Sequence, residues 1–542
     1  LIGRVAGAAI YPLLFAAYPI LALFAQNARE VRAVELVVLV AGAMAGAALV
    51  WLVAGLLLRD AAKGALVTAA AILMFYTVGF VHEWSEFLLT YASKFWVATQ
   101  IRFGALWIVA IELLVLCGMA RWLGGRVKSL GTSTRFLNVL ATIAVVMPIT
   151  QIFAIKAPDA TRSPRIATPI ARLAPPAAGR APDIYYIILD GYARHDVMKS
   201  HFGFDNAPFL EHLESKGFFV GRNSTANYAQ TPLCLSSSLN ATYLDDLVKG
   251  LENDQTALKD LIGQNDVLAT LRPLGYRFVT FATGFEPTEH PEADRYLSAR
   301  PHTTEFQRMV IDLTPARELW PDPRRLDPFQ QARERTTYLL DHLAEVARDP
   351  RPTFTLAHVL APHPPVVFGE NGEDVGHEHK VFMLYNPRVN GRLEKPEGFR
   401  RGYRDQSAYI TRRIQETIDR ILADSPEPPI IIVQSDHGSE LNLDMQSVGN
   451  TDLHERMSIL NAYYFPGGHY EGLYDSISPV NSFRVVLNTF FGAKLPLLPD
   501  RSFFSTWPDP YKFIDVTDVV RSDPARIPVN ARRDGGGDSH DS

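Results

Sequence analysis

Along the first 156 residues apolar positions run together in long stretches; after residue 183 they break into short ones. The stretches 5–25, 36–58, 64–81 and 136–155 carry no charge, and 103–120 carries only Glu112. Each approaches the roughly 20 residues that an α-helix needs to cross a bilayer core of about 30 Å, which predicts five transmembrane helices. One such run alone is equally a buried core helix, but five in succession with short polar loops between them are not. A cleaved signal peptide is also too little to account for five. With the N-terminus inside, seven loop Lys and Arg residues (Arg4, Arg59, Lys63, Arg121, Arg126, Lys128, Arg135) face five outside (Arg29, Arg32, Lys94, Arg102, Lys156). This bias puts everything after the fifth helix outside the cytoplasm. The segment 82–102 sets Trp84, Phe87, Phe95 and Trp96 among polar residues, as an interfacial helix or an aromatic-belted loop would. Glu112 fits either a polar path or, more commonly, an acid satisfied inside a bundle.

Residues 157–182 mix Pro, Ala and Arg without apolar period and read as a semi-rigid linker. Beyond them, strands are expected at 183–189, 276–281, 354–360, 430–434 and 460–465, between helical patterns. Continuous apolar strands of this kind belong to a sheet covered by helices on both faces. The stretch 403–424 places Ile410, Ile414, Ile418, Ile421 and Leu422 on one helical stripe. The expected organisation is a transmembrane region 1–156, the linker 157–182, an α/β domain 183–519 and a polar, Gly-rich tail 520–542.

The 542-residue chain carries 53 basic and 58 acidic residues, a net charge of -5. No basic excess and no nucleic-acid motif is present, so no DNA or RNA partner is expected. Two cysteines, Cys117 and Cys234, exclude a disulfide-dense scaffold and any four-cysteine metal site. Leu1 stands where an initiating methionine is usual, which leads to the expectation of residues upstream.

Two apolar strands end in acids: DIYYIILDG delivers Asp190, and PIIIVQSDHG delivers Asp436 with His437. Either Asp-Gly neighbourhood alone is an ordinary turn. In an open α/β sheet, however, ligands bind beyond the carboxyl ends of strands, where two acids and a histidine can converge on one cation. A third element, NYAQTPLCLSSSLNATYL (Asn227–Leu244), places Thr231 before Pro232 at the start of a short helix. An isolated Thr-Pro of this kind is usually an N-cap with proline in the first turn. The same position aims N–H groups and the helix dipole at an anion, and a threonine hydroxyl beside a cation becomes a usable nucleophile.

These residues resemble the sulfatase and alkaline phosphatase superfamily, and within it the membrane-anchored transferases typified by lipoteichoic acid synthase and lipid A phosphoethanolamine transferase. The resemblance implies five transmembrane helices in a bacterial cytoplasmic (inner) membrane, followed by an extracytoplasmic sulfatase-like α/β domain with a central, mostly parallel sheet. It implies one divalent cation, Mn²⁺, Zn²⁺ or Mg²⁺, held by Asp190, Thr231, Asp436 and His437. Thr231 is then the nucleophile, and His363 in APHPP meets the substrate or leaving group, with His358 on the preceding strand competing for that role. His454 in TDLHERM is a further candidate, against the ordinary reading of a solvated loop histidine. The formylglycine cysteine of true sulfatases has no counterpart: Cys234 begins CLSSS, without the proline and arginine of C-x-P-S-R, and reads as a packed helix residue. Asp190 is followed by Gly191 rather than a second Asp, and the named transferases usually carry Glu at its position, which leaves the donor lipid open. The implied reaction moves a phospho-headgroup from a membrane lipid to a glycan or lipid acceptor through a phospho-threonine. The alternatives are hydrolysis of phosphate or sulfate esters, and a non-enzymatic membrane scaffold.

Overall fold

The structure, a computed structural model, describes residues 8–28, 31–92, 105–127, 129–156, 166–173, 180–300, 303–316, 327–375, 388–389, 392–393 and 396–522. The chain divides into two units, Leu1–Pro164 with His302–Asp327, and Arg165–Pro301 with Pro328–Ser542.

In the first unit, helices form at all five places that the apolar runs predict: Tyr11–Gln26, Ala33–Leu58, Ala61–Ala92, Ala105–Arg126 and Gly131–Lys156. Two of them, Ala33–Leu58 and Gly131–Ile155, are long and apolar enough to cross a membrane by length and composition, while Tyr11–Gln26 and Ala61–Thr77 are shorter apolar stretches. The helix Tyr11–Gln26 has Pro12 in its first turn, while residues 5–7 of the predicted run lie outside the described residues. Its end is satisfied from the fifth helix, where Asn138 Oδ1 accepts the N–H groups of Ile10 and Tyr11, each at 3.1 Å. Ala61–Ala92 is continuous, so the first half of the 82–102 segment is transverse to nothing new but prolongs this helix; 93–102 lie outside the described residues. Small residues allow close crossing: a Cβ on Gly64 would sit 2.5 Å from the Gly55 nitrogen. Leu52, Leu56, Leu57, Phe136, Met147 and Phe153 stay exposed, the inverse of a water-soluble bundle.

The sequence pattern runs the α/β domain unbroken from 183 to 519, yet the helix Glu305–Asp312 belongs to the first unit. Thr304 and Gln307 cap it reciprocally, and its Phe306 and Val310 are buried among Ile20, Phe24 and Val31.

The second unit is built on a seven-stranded sheet of order β2-β9-β8-β1-β5-β3-β4. Its strands are β1 (Ile184–Leu189), β2 (Phe219–Val220), β3 (Arg277–Phe281), β4 (Arg295–Leu297), β5 (Thr353–Val359), β8 (Ile430–Gln434) and β9 (Asn461–Tyr464). The short hairpins β6 (Arg388–Val389) with β7 (Arg392–Leu393), and β10 (Phe503–Phe504) with β11 (Ile514–Asp515), lie apart. β8, β1, β5, β3 and β4 are parallel, and β9 and β2 close one edge through antiparallel pairings, so the sheet is mixed. The five strands expected from apolar runs all form within a residue or so; β2 and β4 are too short to leave a pattern.

Both faces are covered, which is why β1 is apolar throughout. Tyr185, Ile187 and Leu189 face the helices His195–Phe202, Ala207–Ser215, Pro328–His342 and Pro396–Asp424, whereas Ile184, Tyr186 and Ile188 face Thr231–Leu239, Asp266–Leu271 and Pro479–Phe491. The helix expected over 403–424 starts earlier, at Pro396; its Ile410, Ile414, Ile418 and Ile421 are fully buried and Leu422 half-buried.

Part of the stretch read as a linker docks on this unit. Thr168 N donates to Asp266 Oδ1 (2.8 Å) and Ile170 N to Thr270 Oγ1 (2.9 Å), while Ile170 and Leu173 pack against the core. Ile170, Leu173 and Ala181, scattered among prolines, show no period, yet they suffice to anchor the chain. At the other end the helix Thr517–Arg521 buries Val520, so ordered packing passes the expected boundary at 520; residues from 523 lie outside the described set.

Candidate metal and nucleophile site

Strand register brings the two acids together. β1 and β8 run parallel with Ile188 opposite Gln434, so Asp190 and Asp436, each two residues further on, emerge side by side at the carboxyl edge. Gly191 has φ 68, a left-handed turn that favours glycine, and its N–H donates to Asp436 Oδ1 at 3.1 Å. One oxygen of Asp436 is thereby fixed, while its Oδ2 and Asp190 Oδ1 are buried without a hydrogen-bond partner.

His437 completes the group. Its Nδ1 lies 3.0 Å from Gly438 O, and since a carbonyl only accepts, Nδ1 carries the proton and Nε2 presents a lone pair. Around Nε2 stand Thr231 Oγ1 at 3.0 Å, Asp436 Oδ2 at 3.3 Å and Asp190 Oδ1 at 3.7 Å. Ligands at about 2.0–2.1 Å from a tetrahedral ion are separated from each other by about 3.3 Å. Three oxygen donors within 3.7 Å of His437 Nε2, two of them buried carboxylate oxygens with nothing to bond, fit a divalent cation. Burial, with the Arg456 charge next, pushes the His437 pKa down to about 4, so the ring stays neutral and able to ligate at pH 7. Asp190 is held well below the usual carboxylate range: burial opposes this, but His363, His358 and His437 outweigh it.

Thr231 opens the helix Thr231–Leu239, but it is not the cap expected of it. The N-cap residue is Gln230, with extended backbone, and no side chain caps the helix. Leu233 N and Cys234 N bond to Gln230 O at 3.1 and 3.0 Å, and Pro232 has no N–H, so most of the first turn is already satisfied. The Thr231 side chain is thereby released to point at His437. Cys234 is buried with Sγ 3.0 Å from Tyr228 O, and burial raises its thiol pKa well above the usual value.

Both histidines of the 358–363 segment reach the group. His358 Nε2 is 3.2 Å from Asp190 Oδ2, and its Nδ1 is 2.9 Å from Thr288 Oγ1. His363 lies at the rim, Nδ1 2.7 Å from Pro364 O and Nε2 4.0 Å from Glu440 Oε2. Burial lowers the basicity of His363, but Asp190 and Glu440 more than compensate and raise its pKa. His454 does not join them, and it is not solvated either: on the short helix Leu453–Met457 it bonds Asp196 Oδ2 through Nε2 at 3.0 Å.

Sequence reasoning missed Arg456 and Glu455. Arg456 is buried and gives Nε and Nη2 to Ala229 O (2.9 and 2.7 Å) and Nη1 to Gly438 O (3.2 Å), tying the segment before Thr231 to the segment after His437. Glu455 accepts from Ser439 Oγ, Leu441 N, Asn442 N and Asn442 Nδ2, so its nearness to His201 and Asp452 belongs to loop construction rather than metal binding. Gly438 is required at its position, because a Cβ there would meet Glu455 O at 2.1 Å. In HERM, a charged pair between His454 and Met457 on a short helix gives no sign that both side chains turn inward.

No family model and no curated protein matches the chain. Among solved structures, the zinc complex of the C-terminal periplasmic domain of EptC from Escherichia coli has a TM-score of 0.44 at 14% identity, covering 66% of this chain and 98% of that one. The integral membrane lipooligosaccharide phosphoethanolamine transferase A from Neisseria meningitidis has a TM-score of 0.40 at 14% identity, covering 89% and 96%. BT1596, a 2-O GAG sulfatase, has a TM-score of 0.38 at 12% identity, covering 61% and 74%. Phosphoethanolamine transferases and a sulfatase thus stand among the solved structures similar to this chain.

Proposed function

We propose that the chain is a membrane-anchored, metal-dependent transferase that takes a phospho-headgroup from a membrane lipid through Thr231 and passes it to a hydroxyl of a glycan or lipid. The observation that carries this reading is the Thr231 hydroxyl, 3.0 Å from His437 Nε2 and beside two buried carboxylates that lack partners. Asp190, Asp436, His437 and Thr231 would hold one divalent cation, which would supply the positive charge that ionises the Thr231 hydroxyl and offsets charge on the phosphoryl oxygens.

In the first half, the Thr231 oxygen bonds to phosphorus and the bond from phosphorus to the lipid oxygen breaks. His363, whose raised pKa favours a proton on Nε2, hands that proton to the departing alkoxide. In the second half, an acceptor hydroxyl gives its proton back to His363 as its oxygen attacks the phospho-threonine, and Thr231 departs as the same ionised oxygen that began the cycle, its hydroxyl proton having gone to solvent beforehand. Arg456 keeps the Thr231 and His437 segments at a fixed separation throughout.

The five apolar helices serve in this reading as a five-span anchor with a cytoplasmic N-terminus, which holds the α/β domain outside the cytoplasm beside its lipid donor. A retired scaffold has no need of an uncompensated pair of buried carboxylates, since each costs stability without a cation.

Mass spectrometry of the Thr231 peptide, from protein isolated from its membrane, tests the proposal. A phospho-headgroup adduct on Thr231 is the expected result. Release of inorganic phosphate or sulfate from small esters, with no adduct and no acceptor dependence, would replace transfer by hydrolysis.

A further inference from the structure

We propose that Ser238 and Tyr186 are positioning residues for Thr231, a hydroxyl tether that sets the roll of the nucleophile's helix against the strands that deliver the acids; this rests on the reading of Thr231 as nucleophile. The segment CLSSS carries the first observation. Ser236, Ser237 and Ser238 follow one another in the helix Thr231–Leu239, and all three are fully buried. Serine is a mediocre helix former, and a buried hydroxyl is costly unless it is bonded. Alanine would fill such a helix at less cost. Each hydroxyl instead leaves in its own direction, about 100° from the next. Ser236 Oγ donates to Leu258 O (3.4 Å) on the helix Thr256–Gly263, Ser237 Oγ donates to Thr242 O (2.7 Å), and Ser238 Oγ meets the Tyr186 hydroxyl of β1 at 2.9 Å.

The third contact bears on the site. Ser238 lies seven residues after Thr231, close to two helical turns, so the two side chains project on nearly the same side of the helix. Along a strand alternate residues share a face, and Tyr186, with Ile184 and Ile188, faces this helix. Its hydroxyl is also hydrogen-bonded to Gln434 Oε1 at 2.6 Å. Tyr186 stands four residues before Asp190, and Gln434 two before Asp436, so one phenol joins the strands of both acids to the helix of Thr231. Gln434 is held in turn: its Nε2 donates to Asn461 Oδ1 (2.9 Å) on β9 and to Ser482 Oγ (3.1 Å). Tyr186, Ser238, Gln434, Asn461 and Ser482 are all buried, so water does not compete for these bonds. A strand cannot turn within its sheet, and a helix bonded to it through Ser238 cannot roll. The Thr231 hydroxyl thereby keeps its 3.0 Å approach to His437 Nε2. Misplacing a reacting atom by about 1 Å costs on the order of 100-fold in rate, which is what the tether prevents.

Turnover of an aryl phosphodiester by the full chain in detergent, with kcat and KM separated and thermal unfolding followed alongside, tests the tether. Ser238→Ala and Tyr186→Phe should each lower kcat by about tenfold or more and leave KM within about twofold, since substrate still binds while the nucleophile is misaimed. Ser238→Ala added to Tyr186→Phe should cost no further kcat, because both changes break the same bond. Ser482→Ala is the structural control. It removes an equally buried hydroxyl from the same network, one bonded to Gln434 Nε2 and Tyr463 Oη and not to the helix of Thr231, and should lower Tm while kcat stays near that of the wild type. Wild-type kcat in Ser238→Ala, which serves alone if Tyr186→Phe does not fold, would overturn the assignment, as would an equal fall of kcat in Ser482→Ala or additive losses in the double variant. Thr231→Ala separates the two levels: no turnover there with wild-type kcat in Ser238→Ala sinks the tether alone, whereas undiminished turnover in Thr231→Ala sinks the nucleophile reading beneath it.

Discussion

Thr231 Oγ1 and His437 Nε2 lie 3.0 Å apart, joining the first residue of a helix to the residue that follows the strand-end acid Asp436. A capping threonine would instead spend its hydroxyl on its own helix. The two roles differ in what mutation costs. As one buried hydrogen bond, the contact is worth about 1 kcal/mol, so Thr231→Ala should stay folded with a small loss of stability. Turnover of an aryl phosphodiester or fluorescent phospholipid should nevertheless vanish, and Thr231→Ser should keep part of it. A folded Thr231→Ala protein with undiminished turnover would remove the covalent mechanism.

The pair Asp190 and Asp436 makes stability depend on metal. An ion that binds only the folded state at about 100 times its Kd adds about 2.7 kcal/mol. Thermal unfolding of the chelator-stripped chain should therefore shift upward on addition of Zn²⁺ or Mn²⁺. Asp436→Ala should show no such shift and retain no metal on purification. Equal shifts in both proteins would mean that the cation binds elsewhere.

Arg456 supplies three hydrogen bonds to two buried carbonyls, Ala229 O and Gly438 O. Removing the guanidinium leaves both without a donor, at about 1–3 kcal/mol for each. Arg456→Met should thus lower stability by about 2 kcal/mol or more in denaturant unfolding. Arg456→Lys keeps the charge but not the fork, so it should recover part of the stability while kcat stays depressed. Wild-type kcat in Arg456→Lys would show that the fork's geometry is immaterial to the site.

Much of this was legible in the chain, and what was hidden has physical causes. Strands such as IIIVQ declare themselves because a sheet covered on both faces needs apolar residues throughout. Asp190 and Asp436 stood out as acids at the ends of such strands. Their adjacency depends on the register of Ile188 with Gln434, which no single-chain pattern encodes. The same applies to His358, whose position opposite Ile188 makes it a neighbour of both acids although it is 78 residues from one and 168 from the other in sequence. The cap reading of Thr231 failed by one position: Gln230 takes the extended cap conformation, and helix ends are where local preference is weakest. The docking of Glu305–Asp312 in the first unit was invisible because an eight-residue amphipathic helix looks alike wherever its Phe306 is buried.

A pH dependence follows from His201 and Asp452, whose Nε2 and Oδ2 are 3.7 Å apart. Asp452 raises the His201 pKa above its ordinary value despite partial burial. Burial opposes ionisation of Asp452, but His201 and the Glu455 N–H more than offset it and hold its pKa low. A raised histidine contributes stability that is complete below its unfolded pKa of about 6.5 and is lost as pH rises through the folded value; a depressed aspartate contributes above about 3.9 and loses it on acidification. The pair should therefore help most between about pH 4 and 6.5. In His201→Gln, unfolding free energy should fall less steeply from pH 6 to 8 than in the wild type. Parallel curves would show that the pair does not titrate as its geometry requires.

The last prediction concerns the membrane. If all five helices cross, from an N-terminus that the loop charges would place inside, the odd number of crossings would put Lys156 and all that follows on the opposite side. The seven-to-five excess rests mainly on Arg121, Arg126, Lys128 and Arg135, at and around the junction of the fourth and fifth helices. Alkaline phosphatase fused just after Lys156 should be active, and green fluorescent protein fused there should stay dark. The reporters should exchange behaviour when placed in the loop that carries Arg126. If only the two helices Ala33–Leu58 and Gly131–Ile155 cross, an even count returns the α/β domain to the side of the N-terminus, and the fusions after Lys156 report the opposite pattern. Neutralising Arg121, Arg126, Lys128 and Arg135 together should weaken the preference, giving a mixed population, because that loop would no longer be held inside by its charge.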